Sequence, residues 1–186
     1  FTVSLDAPSG QPISVDYRTV NGTAIATQDF TGVAAETLSF APGQTQQLIT
    51  IDIINDSLDE ADSETFQVEL SNGQNVTLGD ATGDGAIADN DALPFIGVNN
   101  PSVPESSGGL DGVMPFSIVL SAPSGRPVTV DYQIAGGSAI AGEDYVAVPA
   151  GTLTFLPGQT LQQLDINLVD DSRDEADETV QLILSN

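Results

Sequence analysis

Residues 1–30, FTVSLDAPSGQPISVDYRTVNGTAIATQDF, align without a gap on residues 116–145, FSIVLSAPSGRPVTVDYQIAGGSAIAGEDY. The match continues through Leu38-Ser39-Phe40-Ala41-Pro42-Gly43-Gln44-Thr45 against Leu153-Thr154-Phe155-Leu156-Pro157-Gly158-Gln159-Thr160, and through Asp59-Glu60-Ala61-Asp62 against Asp174-Glu175-Ala176-Asp177. A single deleted residue then sets Glu64 against Glu178, and both stretches close on Leu-Ser-Asn at 70–72 and 184–186. The chain is a tandem repeat, and each repeat must fold by the same rules.

Within each repeat the apolar residues alternate. Ile13/Val15/Tyr17, Leu38/Phe40, Ile51/Ile53 and Phe66/Val68/Leu70 are matched by Val128/Val130/Tyr132, Leu153/Phe155, Leu164/Ile166/Leu168 and Val180/Leu182/Leu184. A period of two places one face of a strand on a core, and Tyr17 and Tyr132 then point inward. Pro-Ser-Gly, Asn-Gly or Gly-Gly, and Pro-Gly separate the runs and supply the backbone angles that chain reversals need. The fold class predicted is all-β: two tandem antiparallel immunoglobulin-like β-sandwiches of six or seven short strands each. Asp80-Ala81-Thr82-Gly83-Asp84-Gly85 has no Glu at the twelfth position of a calcium loop and reads as a turn.

Residues 73–93 follow the first Leu-Ser-Asn, and residues 94–115 precede the Phe116 strand. The domains expected are therefore 1–93 and 94–186, the first missing its first strand and the second missing its last. An incomplete sandwich has an open edge, so neighbouring repeats are expected as partners, by strand donation or filament assembly.

Composition narrows function. The chain carries 27 Asp and Glu against 3 Lys and Arg, a formal charge of −24, with no Lys, Cys or His. Nucleic acid is not expected as a partner, because phosphate binding needs clustered cations. Without Cys or His there are no disulfides, thiolate nucleophiles, imidazole bases or ordinary zinc sites. Aromatics are 5% of the chain with no Trp, too few to line a sugar-cleaving groove; no enzyme is expected. No apolar run approaches the length of a membrane helix, so no membrane insertion is expected of this segment.

The carboxylates gather in loops: 28–30 and 143–145, 55–60 and 170–175, and 89–91. Loops of a sandwich cluster at its ends, so these acids converge. Each close pair costs on the order of 1 kcal/mol in water and more where water is excluded. A shared hard cation relieves that cost, and oxygen ligands alone favour Ca2+.

Both repeats resemble Calx-beta domains. The resemblance rests on Val-Asp-Tyr (15–17, 130–132), the Ala-rich stretch into Asp-Phe or Asp-Tyr (29–30, 144–145), Phe-x-Pro-Gly-Gln-Thr (40–45, 155–160), the acidic turn (56–60, 171–175) with a later Glu (64, 178), and Ala-Asp-Asn-Asp (88–91). It implies Ca2+ ligands Asp29, Asp56, Glu60, Asp89 and Asp91 in the first repeat, with the Leu58 carbonyl. In the second it implies Glu105, Asp144, Asp170, Asp171, Glu175 and Glu178. Asn55 stands where the second repeat has Asp170.

The function expected is a calcium-binding structural and adhesive module of a long extracellular or cell-surface protein, with calcium near Asp89 and Asp91 stiffening successive repeats. Two alternatives stand beside it: a calcium-sensing regulatory module, and an acidic, halophilic-type surface in which the carboxylates only hold water. The adhesion target is not legible.

Overall fold

The computed structural model describes residues 1–104, 112–170 and 175–185. Every regular element among them is a strand. Two compact units form, one of Phe1–Asp56 with Ala61–Asn90, the other of Ser57–Glu60 with Asp91–Asn186.

The first unit holds β1 (Thr2–Ser4), β2 (Ile13–Asn21), β3 (Glu36–Phe40), β4 (Gln46–Leu48), β5 (Ser63–Gln74) and β6 (Thr82–Ala88). The second holds β7 (Ile96–Val98), β8 (Val113–Leu120), β9 (Val128–Gly136), β10 (Gly151–Phe155), β11 (Leu161–Asn167) and β12 (Val180–Ser185). The sheets are β1-β4 and β3-β2-β5-β6 in the first unit, and β11-β8-β7 and β10-β9-β12 in the second. All ladders are antiparallel. In each unit the inward faces of the two sheets share a core, which makes an immunoglobulin-like sandwich.

Repeat and register coincide. Ile13 pairs with Phe40 and Tyr17 with Glu36, while Val128 pairs with Phe155 and Tyr132 with Gly151. The buried residues Val15, Ala24, Phe30 and Phe40 have the buried counterparts Val130, Ala139, Tyr145 and Phe155. Each large apolar side chain so buried contributes about 1.5–3 kcal/mol. The Phe30 and Phe66 rings stack with centroids 4.3 Å apart, and Phe1 meets Phe66 edge-on at 5.8 Å.

The Pro-Gly turns follow from their residues. Gly43 (φ 85°) and Gly158 (φ 77°) sit where a type II turn needs positive φ, with Pro before them. The turn closes by Gln44 N–H donating to Ala41 C=O at 2.9 Å and Gln159 N–H to Leu156 C=O at 2.8 Å.

Two expectations change. Ile51 and Ile53 do not extend β4: Ile53 makes one isolated bridge to Phe30 and is 52% exposed. Alternation there reflects loop residues that follow the buried Ile49, not a ladder. The stretch 80–85 is not all turn, because Thr82–Gly85 belong to β6 and pair with β5. Tyr17 faces inward as expected, packing half-buried against the core around Phe66 and Val68, with its hydroxyl donating to Glu36 Oε2 at 2.5 Å. Within the second unit Asp59 is buried, accepting hydrogen bonds from Arg126 Nη2 at 2.9 and 3.0 Å and from Ser124 Oγ at 3.1 Å.

Candidate metal centre

The loop 25–30 is wound so tightly that its own amides hold an acid. Gln28 and Asp29 N–H donate to Ile25 C=O at 3.1 and 3.0 Å, and Thr27 N–H donates to Phe30 C=O at 2.8 Å. Asp29 Oδ2 accepts the Ile25 N–H at 2.6 Å, and Ile54 N–H docks on the Asp29 C=O at 2.9 Å. The buried Phe30 ring anchors the loop from below. Every bond recurs in the second repeat: Glu143 and Asp144 N–H to Ile140 C=O, Gly142 N–H to Tyr145 C=O, Val169 N–H to Asp144 C=O, and Ile140 N–H to Asp144 Oδ2 at 2.6 Å.

One backbone position differs in cost. Thr27 has φ 78°, and its counterpart Gly142 has φ 90°. A β-branched residue is disfavoured there. Thr27→Gly is therefore expected to stabilise the first unit by about 1 kcal/mol, and Gly142→Thr to destabilise the second by a similar amount. Denaturant melts of the two variants check both signs.

Held this way, the acids meet. Asp144, Glu175 and Glu178 each offer a carboxylate oxygen, all within 4.8 Å of one another, and in the first unit Asp29 and Glu64 form a pair of the same reach. Asp29 is buried, Glu60, Glu64 and Asp144 are half-buried, and Glu175 and Glu178 are exposed. Oxygens bound to one calcium sit about 2.4 Å from it, so no two are more than about 5 Å apart. The triad and the pair meet that limit with the hard donors calcium prefers, and water and further oxygens can complete 6 to 8 ligands. A cleft of about 610 Å³ adjoins the second triad, lined by Val103, Met114 and Leu168 as well as by the acids.

Burial, then the nearby charge of Asp29 and a hydrogen bond to it, then the charge of Asp89, hold the Glu64 carboxyl above its usual range. A raised folded-state pKa means the protonated form is favoured in the native state. Without metal, the resulting stability is present below the unfolded-state pKa and is lost as pH rises through the raised value. Glu64→Gln is thus expected to stabilise the metal-free first unit at neutral pH and flatten its pH dependence above pH 4, while weakening calcium binding. Unfolding in chelator across pH 4–7 measures the first, and calcium titration the second.

Of the other acids, Asp89 follows directly on β6, whose Ile87 pairs with Glu64, and is half-buried. Asp91 and Asp170 are half-buried, and Asp56 is exposed with its C=O accepting from Asn55 Nδ2 at 3.1 Å. Asp56, Asp89, Asp91 and Asp170 stand outside the triad and the pair. Leu58 is half-buried. Glu105 and Asp171 lie outside the described residues. Glu64 was missing from the ligand set read from sequence, although its alignment on Glu178 across the deletion is the signal that points to it.

A family model for the Calx-beta domain matches twice, over residues 1–91 and 89–186. The chain belongs to the Calx-beta family. Calx-beta domains bind Ca2+. The chain is 26% identical to sodium/calcium exchanger 1 of Canis lupus familiaris, over 90% of this chain and 19% of that protein. It is 29% identical to extracellular matrix protein 3 of Lytechinus variegatus, over 100% of this chain and 6% of that protein. It is also similar to the crystallised calcium binding domain CBD12 of CALX1.1, at 27% identity and a TM-score of 0.46, covering 89% of this chain and 67% of that one. The Calx-beta pair thus spans a small part of its long relatives.

Proposed function

We propose that these two Calx-beta units are non-catalytic, calcium-binding structural repeats of a long extracellular or cell-surface protein, in which calcium makes each sandwich rigid and successive repeats build an adhesive stalk or filament. The observation that carries this reading is the recurrence of one acid pair, Asp29 with Glu64 and Asp144 with Glu178, on one loop geometry in both repeats. Like charges held together lower native stability until a cation neutralises them. The composition, with no Lys and no Cys, and the extracellular matrix relative that spans the whole chain support an exterior setting.

A calcium-sensing role is the second reading, favoured by the sodium/calcium exchanger relatives. Affinity separates the two. Structural modules of calcium-rich surroundings bind at about 0.1–1 mM and sensors at about 0.1–10 µM. Thermal unfolding of the chain in calcium, in magnesium, and in chelator at matched ionic strength tests the common core of both. At free calcium 100 times the dissociation constant, the native state gains about 2.7 kcal/mol. Equal melting in all three conditions would leave only the hydrated-acid reading.

A further inference from the structure

Alternation along the β11-β8-β7 sheet divides its side chains. Ile118, Leu120 and Ile166 go into the core of the second unit, while Leu161, Val119 and Gly97 go to the outward face. The register sets these three in one row, Leu161 opposite Val119 and Val119 opposite Gly97. Leu161 and Val119 are 52% and 43% exposed. One step along the strands Phe95 stands opposite Ser121: its N–H donates to Ser121 Oγ and its C=O accepts from the Ser121 N–H, both at 2.8 Å. Phe95 is 81% exposed. The first repeat has no such row. Leu161 and Val119 correspond to Gln46 and Ser4, which pair in the β1-β4 ladder, so the ladder forms without apolar residues at these two places.

Charge decides what can cover this row. In a chain of charge −24 a cationic partner is drawn to the acidic loops, not to a row that bears no charge. Among the outward strand residues of this sheet Asp165 is the one acid. It accepts from Gln163 Nε2 at 2.6 Å and lies four residues, about 13 Å, along β11 from Leu161. Two copies of the chain repel wherever their acids face each other, and at this row they meet without that cost. The row is also complementary to itself. A Cβ added at Gly97 would have Val119 Cγ2, at 4.0 Å, as its nearest neighbour, so the space over Gly97 is open. Phe95, two residues earlier on the same face, projects an aromatic ring. A two-fold axis across the strands, midway between Phe95 and Gly97, sets each ring over the other copy's Gly97 and against its Val119.

We infer that this face pairs with the same face of a second copy of the chain, sheet against sheet, with Phe95 of each copy seated in the Gly97 gap of the other and Val119 and Leu161 packed beside it. Sheets stacked face to face lie about 10 Å apart, a spacing that an aromatic ring standing over a glycine fills. The aromatic anchor in its gap carries the affinity, and the flanking aliphatic residues exclude water. No residue of the acid clusters takes part, so the pair forms in chelator, and it tightens as salt screens the charge of the two chains.

Sedimentation equilibrium of the whole chain in chelator, at about 0.05 and about 0.5 M NaCl, tests this. The expected result is a reversible dimer, tighter at the higher salt. Phe95→Gln and Gly97→Val are each expected to weaken it at least about ten-fold. An equimolar mixture of the two variants is expected to dimerise more tightly than either alone, because Phe95 of the Gly97→Val chain still finds an open glycine on the Phe95→Gln chain. Leu161→Gln combined with Val119→Ser, the residues the first repeat carries, is expected to weaken the dimer likewise while the fold keeps its melting temperature. A monomer at both salts, a dimer that loosens as salt rises, a dimer indifferent to these substitutions, or a mixture no tighter than its components overturns the inference.

Discussion

Asp144→Asn is expected to weaken calcium binding in the second unit by roughly 30-fold, about 2 kcal/mol, and Asp29→Asn to do the same in the first. The carboxylate at this position has two tasks. One oxygen takes the loop amide, of Ile140 or Ile25, at 2.6 Å. The other task is to bring negative charge within reach of glutamates, Glu64 in the first unit and Glu175 and Glu178 in the second. Asparagine keeps an oxygen for the amide and so preserves the loop, while it removes one charge from the cluster. Stability in chelator should therefore hold or rise, since one repulsive pair partner is gone. Calorimetric titration of each variant, paired with unfolding in chelator, reads both effects. Unchanged affinity in both variants would mean that calcium sits elsewhere.

Phe30→Ala should cost the first unit about 3–5 kcal/mol. Phe30 is fully buried and stacked on Phe66, and its C=O accepts the Thr27 N–H that shapes the Asp29 loop. Removing the ring leaves a cavity beneath that loop, so calcium affinity of the first unit should fall along with its stability. The second unit, whose equivalent ring is Tyr145, should keep its own transition. Denaturant unfolding followed by probes in each unit measures the loss, and a first-unit change under about 1 kcal/mol would contradict the role given to this ring.

The fold was legible because period-two alternation and internal repetition carry the same information twice. Val15 and Val130, or Phe40 and Phe155, occupy one place in one register, and each copy corroborates the other. Legibility failed where local pattern and tertiary pairing diverge. Ile51 and Ile53 alternate, yet the ladder stops at Leu48. The glycines of 82–85 read as a turn, but β5 is long enough to pair with them as β6. In the site, Asp29, Asp144, Glu60, Glu175 and Glu178 could be named because the resemblance to Calx-beta domains implied them, while loop position by itself implied only that the acidic loops converge. Glu64 was harder: it lies inside β5, where alternation predicts only face, and its proximity to Asp29 comes from the sandwich closing.

The most direct measurement is a calcium titration of the 186-residue chain followed at backbone amides by NMR, with magnesium at equal ionic strength as the control. Ion capture by these acid clusters predicts large, saturable changes confined to residues 25–30 and 63–65 in one repeat and 140–145 and 175–179 in the other, with magnesium far weaker. Small, unsaturable shifts spread over the acidic surface, the same for both ions, would contradict it and leave the carboxylates as nothing more than a hydrated coat.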